Sequence, residues 1–339
     1  MTQPAVQPLR SAVTRTDVAR YAGVSAAVVS YVVNSGPRNV APATAARVLE
    51  AIRVLGYRPN AAARALKLGS SETFGLILPE NSNPLFAQLA HSVEEAADRL
   101  GFALMMANSD GSLSKERRHL RNFLSRQVTA VLLASVASEP DLSDVISADI
   151  PVVLLNQGQA APGFAAVGVD LRQGAQEAVK HLIWHGHRNI GLVIGTNGTQ
   201  KADGRELGWL DALATEGLRA GPIARAPFTR EGGYAAGKRL IAGNERPTAV
   251  FASSDSQAAG LLRALHEGGI RIPEDIAIAS FDGSPESEYT WPGLTTVAQP
   301  LAAMAAAAVE AVTGGGHNDN PTLRIFPTEL IVRRSCGCG

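Results

Sequence analysis

The residues best placed to do chemistry in this 339-residue chain are hydrogen-bonding side chains set among alanines and valines between Val13 and Asn34, VTRTDVARYAGVSAAVVSYVVN. The stretch predicts two short helices joined by a tight turn. Gly23 is the pivot, because the turn needs a backbone that tolerates positive φ. Ala19 is small enough to let the helices cross closely, and Val18, Ala22, Val24, Val29 and Val32 supply the apolar face between them. Asp17 or Thr16 can cap the first helix and Ser25 the second. That pattern is a helix-turn-helix, whose second helix lies in the DNA major groove. The plainer alternative is a helical hairpin. On the first reading Thr14, Ser25, Ser30, Asn34 and Arg38 are candidate phosphate contacts, with Thr16 beside them; such contacts position a protein on DNA without specifying sequence.

Other reactive residue types are sparse. Cys336 and Cys338 stand in the tail SCGCG. A C-x-C pair can bind metal or be oxidised, but with no partner cysteine elsewhere a solvent-exposed, reduced tail is expected. His181, His185 and His187 invite a metal reading, yet no acidic or Cys ligand set stands near them at metal spacing. No G-x-G-x-x-G after a strand, P-loop or nucleophile elbow is present, and Ser, His and Asp are scattered. Neither an enzyme, a cofactor nor a metal is expected.

A formal net charge of +0 argues at first against nucleic acid. The distribution reverses the argument. Residues 1–70 carry nine Lys/Arg and two Asp/Glu, a net of +7, and the remainder is equally acidic. Phosphate binding through counterion release depends on local charge, so a basic head on an acidic body suits a DNA-binding domain attached to something else. The N-terminal MTQPAVQPLR lacks the apolar core of a secretion signal and no apolar run reaches membrane-spanning length, so a cytoplasmic protein with no membrane partner is expected.

Positioning elements follow from the apolar periodicity. Residues 1–12 read as a disordered tail and 13–58 as the headpiece, its third helix opening at Val40, with Pro42 in the first turn and Val48, Ile52 and Leu55 as its stripe. Residues 59–73 read as a hinge helix and linker. From Phe74 short apolar runs alternate with longer amphipathic ones. Strands are expected at 74–78, 103–108, 130–134, 152–156, 190–195, 223–226, 249–253, 276–280 and 329–332. Helices are expected at 86–100, 114–126, 173–184, 202–215, 231–241, 256–267 and 301–312, with 167–170 a crossing segment. Alternating strands and helices mean parallel sheet covered on both faces, and the count suits two sheets. The fold class is therefore an all-α headpiece plus an α/β core of two parallel sheets with helices on both faces at 74–333, followed by a tail at 334–339.

Thr14, Asp17, Val18, Ala19, Ala22, Gly23, Val24, Ser25, Val29, Ser30 and Asn34, then Leu55, Gly56, Tyr57, Pro59, Asn60, Ala63, Arg64 and Leu66, together resemble the lactose/galactose-repressor family of bacterial transcription regulators. The resemblance covers nearly the whole chain. It implies lobes like those of periplasmic sugar-binding proteins, with the chain crossing between them near Asp170, Thr296 and Ile325, and a ligand in the cleft outside the strands' carboxyl ends. It implies that Ala26, Ala27 and Tyr31 choose the DNA sequence. Two alanines can only touch a thymine methyl or allow close approach, leaving Tyr31 most of the polar readout. Val28 stands where the family usually has Thr, and Ala41 where it usually has a capping Ser. Ala63 and Leu66 match residues that enter the minor groove when two hinge helices pair, the Leu wedging a base step, with Asn60 and Arg64 beside them.

For the effector, the resemblance implies Phe86, Asn156, Arg205, Phe228, Asp255 and Asp282. Arg205 matches an Arg that grips a hydroxyl or carboxylate, and Asp282 an acid that pairs with sugar hydroxyls or ring nitrogens. From the residues alone, Phe86 and Phe228 could equally be core, and Asp255 and Asp282 caps of helices or turns. HLIWHGHRNIG matches the family's helix-to-strand turn, which gives the histidines a structural role. The implied function is a homodimeric transcription regulator, most simply a repressor, of near-palindromic double-stranded operator DNA, controlled by a small polar effector such as a carbohydrate. A sugar-binding transport or chemoreceptor module would fit the core alone, and the headpiece argues against it.

Overall fold

The computed structural model describes residues 13–33, 39–58, 71–135, 140–156, 163–195, 202–243, 245–314 and 322–338. The chain divides into two compact units, residues 1–71 and 72–339.

In the first unit, α1 (Arg15–Ala22), α2 (Ala26–Val33) and α3 (Pro42–Leu55) close over a core of Val18, Ala19, Ala22, Val29, Val48, Ala51 and Tyr57. Thr14 is the N-cap of α1, in place of the expected Asp17 or Thr16. Its hydroxyl accepts from the Asp17 backbone N–H while the Asp17 carboxylate accepts from the Thr14 backbone, a reciprocal capping box. Gly23 ends α1 at φ 64°, the left-handed conformation the turn demands. Ser25 Oγ accepts from Val28 N at 3.3 Å at the head of α2. Ala41 precedes α3 without a side-chain cap, and Pro42 fills the first helical position.

The second unit holds two six-stranded sheets. The first contains β1 (Thr73–Leu78), β2 (Ala103–Asn108), β3 (Ala130–Leu133), β4 (Val152–Leu155), β5 (Ala165–Val169) and β11 (Leu323–Phe326), all parallel, in the order β11-β5-β4-β3-β1-β2. Around it lie α4 (Pro84–Asp98), α5 (Leu113–Ser125), α6 (Ser143–Ser147) and α12 (Leu301–Thr313). The second contains β6 (Ile190–Ile194), β7 (Ile223–Arg225), β8 (Ala249–Ala252), β9 (Ala277–Asp282), β10 (Thr295–Ala298) and β12 (Glu329–Ile331), in the order β12-β10-β9-β8-β6-β7. Its helices are α7 (Leu171–Trp184), α8 (Gly204–Thr215), α9 (Arg230–Ala242), α10 (Asp255–Glu267) and α11 (Glu286–Tyr289). Among the described strands only β12, against β10, runs antiparallel. β1–β5 and β6–β10 repeat one doubly wound order, with switch points between β1 and β3 and between β6 and β8. Central strands such as AVLL and VVLL are buried along their whole length, as a sheet covered on both faces requires.

The chain crosses between the lobes three times. The first crossing is at Asp170, whose carboxylate caps α7. The second lies at Gln299–Pro300 and the third at Pro327–Thr328, each a few residues past the expected Thr296 and Ile325, because those residues belong to the short strands β10 and β11. Gly174, in the first turn of α7, lies against the third crossing: a Cβ there would come within 2.9 Å of Thr328 Oγ1 and 3.0 Å of Phe281 and Val297.

The tail corrects another expectation. Residues Arg334–Cys336 form a 3-10 turn against β9, Ser335 Oγ donates to Ile278 O at 2.7 Å, and Cys336 is buried. Ser335 Oγ also accepts from Thr295 N at 2.8 Å, which ties the tail to β10 as well. Among the described residues no helix is long and apolar enough to cross a membrane.

Candidate DNA-binding face and effector site

On the headpiece, Thr14, Thr16, Ser25, Ala26 and Ala27 are exposed, and Ser30 and Tyr31 are half-buried on α2. The N-terminal end of α2 thus presents small residues and Ser25 outward, a surface that can approach a base edge closely. Asn34, Arg38, Asn60, Ala63, Arg64 and Leu66 lie outside the described residues.

In the second unit, Arg205, Phe228 and Asp282 come together at the carboxyl ends of the second sheet. Arg205 sits in the first turn of α8 behind its N-cap Asp203. Its Nε and one Nη hold both Asp203 oxygens at 2.9 Å, and the other Nη donates to Ser253 O at 2.9 Å. A guanidinium carries five N–H donors, so two remain. Phe228 lies with its ring centre 4.8 Å from the Arg205 guanidinium carbon, and Phe281 at 5.7 Å. Burial opposes the charge on Asp203, yet Arg205 outweighs it by attraction and hydrogen bonding and holds that carboxyl below its usual value.

Asp282 ends β9 with φ 117°, a conformation few non-glycine residues adopt, and such strain gathers at ligand sites. Burial pushes its carboxyl well above the ordinary carboxylate value, and nearby Asp255 adds to this; Arg205 and a hydrogen bond from Gln299 offset only part. Gln299 Nε2 donates to Asp282 at 3.1 Å, and Gln299 Oε1 is buried with no partner among the described residues. A buried acceptor left unmatched is costly and marks a place where a donor belongs.

The other expected residues are placed differently. Asp255, at the start of α10, accepts from Ser280 Oγ (2.6 Å), Thr296 Oγ1 (2.7 Å), Ser284 N (2.7 Å) and Ser284 Oγ (2.9 Å). Four protein donors occupy its oxygens, so its geometry is that of an anchor between α10, β9 and β10. Phe86 is half-buried against the first lobe's core, and Asn156 follows β4 at φ 58°. Neither has a hydrogen bond or ring contact to the Arg205 cluster among the described residues.

Sequence reasoning missed Asp203, Ser253, Gln257 and Gln299. Gln257 is the least visible of these. Its amide donates to the carbonyls of Ala226 (3.0 Å) and Pro227 (3.1 Å) and accepts from Ser253 Oγ (2.7 Å), which fixes the loop carrying Phe228. Only Asp203 had a local signal, a helix-capping Asp just before a helical run. Gly195, after β6, leaves room for the Phe228 ring, since a Cβ there would overlap it at 1.8 Å. Gly195→Ala is therefore expected to turn Phe228 out of its place beside Arg205 and weaken effector binding about tenfold, on the scale of a lost ring contact. Calorimetry with an effector found by thermal-shift screening checks this, and unchanged affinity would remove Phe228 from the site.

Residues 14–60 match the model of the bacterial regulatory proteins of the lacI family, and residues 179–336 that of a periplasmic binding protein-like domain. The chain is 34% identical over 328 residues to the HTH-type transcriptional repressor PurR of Photobacterium profundum, covering 95% of this chain and 98% of that one. The chain belongs to the lacI family. It is also 37% identical over 309 residues to catabolite control protein A of Priestia megaterium, covering 89% of this chain and 92% of the relative. Among solved structures, a CelR–cellobiose complex superposes with a TM-score of 0.69 at 30% identity, covering 95% of this chain and 99% of that one. The lac repressor dimer bound to operator gives a TM-score of 0.85 at 24% identity, covering 96% and 99%, and shows the shared fold. As a lacI-family member this chain is a DNA-binding transcription regulator of the repressor type, with an effector-binding core.

Proposed function

We propose that this repressor binds a near-palindromic operator as a homodimer, in the cytoplasm and without enzymatic activity, and that a small polar effector between the core lobes controls its affinity. The observation that carries the effector reading is the cluster of Arg205, Asp282 and Gln299. It offers two spare guanidinium N–H donors, a carboxylate with one direct side-chain donor and an unmatched amide oxygen beside an aromatic ring. A polyhydroxylated ring, donor and acceptor at once with an apolar face, complements all four; a carbohydrate or related metabolite is the class proposed. Phe86 and Asn156, at the matching strand ends of the first lobe, are its proposed opposite wall.

Dimerisation follows from one helix-turn-helix per chain and the two-fold symmetry of operators. The edge strand β2 supports it, since it leaves Met106 57% exposed on an apolar strand. The headpiece at 13–58 and core at 74–333 would be joined by the hinge at 59–73, where Ala63 and Leu66 are the proposed minor-groove residues; the buried Ser335 and Cys336 extend the core past 333. Short helices are marginal alone, so hinge folding is an equilibrium the lobes can bias. The effector site reaches the lobe crossings through Gln299, whose backbone N–H donates to Asp282 O at 3.2 Å. A coupling of about 1–3 kcal/mol between effector and operator is expected, the same in both directions.

The test is a mobility-shift titration of the full chain on DNA upstream of its own coding sequence, with and without effector, beside sedimentation of the complex. Leu66→Ala is expected to weaken specific binding more than non-specific binding, because a wedge acts only where the base step opens. Arg38→Ala should weaken both and lower the salt slope. A monomer on DNA, or an unchanged specificity ratio for Leu66→Ala, would overturn the dimer and the hinge assignment respectively.

A further inference from the structure

The end of α7 and the tail bring together four soft and borderline donors from two ends of the core sequence. His181 and His185 lie one helical turn apart and so share a face of the helix end. Cys336 and Cys338 flank Gly337, whose φ of 99° folds the tail so that both sulfurs reach that face. His181 Nε2 is 3.2 Å from Cys336 Sγ and 3.6 Å from Cys338 Sγ, and His185 Nε2 is 3.1 Å from Cys338 Sγ. All four donor atoms lie within 4.8 Å of one another.

We propose that these four residues form a closed Cys2His2 site for Zn2+. With Zn–S of about 2.3 Å and Zn–N of about 2.0–2.1 Å, a tetrahedral ion sets its N···S edges near ~3.5 Å, and the three close pairs scatter about that length. Pairwise thiol–imidazole hydrogen bonds would not require His181 to approach both sulfurs. Two thiolates and two neutral imidazoles around a divalent cation sum to zero charge, which a site with one buried and three half-buried ligands can carry. No carboxylate among the described residues belongs to the cluster, and two sulfurs with two imidazole nitrogens select zinc over hard cations. The outer shell is also present. Thr295 Oγ1 donates to Cys336 Sγ at 3.0 Å, and Trp184 packs edge-on to His185 with ring centres 4.9 Å apart. Four protein ligands leave no open position, so the ion is structural. It fastens the segment beyond the third crossing to α7.

The test uses the full chain, stripped with chelator under reducing, anaerobic conditions and dialysed against Zn2+, with metal measured by mass spectrometry. One zinc per chain is expected, together with a melting temperature several degrees above the stripped protein. Co2+ in its place should give the visible absorption of tetrahedral, thiolate-ligated cobalt. Cys338→Ser and His185→Gln, at the half-buried side of the cluster, should fold, lose the zinc and the cobalt colour, and show no zinc-dependent stabilisation. His187→Gln, outside the cluster, should keep all three. The proposal is overturned if the wild-type chain binds no stoichiometric zinc, if it yields only a Cys336–Cys338 disulfide that takes up no metal after reduction, or if both ligand variants retain the full metal content.

Discussion

Asp282→Asn should make the effector-free protein more stable at neutral pH and at the same time nearly blind to its effector. The sign follows from the direction of the carboxyl's shift. Burial and the Asp255 charge push Asp282 well above the ordinary carboxylate value of 3.8. Between that value and the raised one the folded chain holds more protons than the unfolded chain, so the group's contribution to stability falls as pH rises through that window and stays low above it. Asn is neutral throughout and can still bond to Gln299. The gap between variant and wild type should therefore open as pH rises through the window and level off beyond it. Losing one partner of a buried hydrogen bond costs about 1–3 kcal/mol, so effector affinity should fall roughly fivefold to a hundredfold. Chemical denaturation across pH and calorimetry at neutral pH check the two halves. A variant less stable than wild type at neutral pH would show that Asp282 is matched by partners in the resting protein and is not held ready for a ligand.

Arg205→Ala should abolish effector binding and also destabilise the core, by about 3–5 kcal/mol, because it strands a buried carboxylate. Asp203 is that carboxylate, and its two oxygens are both taken by Arg205. Combining Arg205→Ala with Asp203→Asn should recover much of the stability, since Asn removes the charge and still caps α8, while binding stays lost. If the effector is an inducer, the double variant should hold operator with normal effector-free affinity and ignore the effector. If it is a co-repressor, the variant should bind operator weakly with or without it. Full effector affinity in the double variant would exclude Arg205 from the site.

The layout of the core was legible because each central strand is a short, continuous apolar run. FGLIL, AVLL and VVLL can be read that way without knowing their neighbours. The runs TTVA at 295–298 and LRIF at 323–326 could not, because one is half polar and the other is an edge strand exposed at three of four positions. This is why the second and third crossings were expected too early. In the site, Arg205 and Asp282 came from motif resemblance, while Asp203, Ser253, Gln257 and Gln299 earn their roles only once β6, β8, β9 and the second crossing converge. The histidine–cysteine cluster shows the same limit. Its members are 155 residues apart in sequence, and a rule based on local ligand spacing passes over them.

Gly174 marks the place where two of the lobe connections meet. The first crossing runs straight into α7, and the third presses on the same turn of that helix through Thr328. Two of the three connections thus meet one helix, α7, inside the second lobe. A Cβ at Gly174 would therefore press on the third connection at the turn where the first one ends.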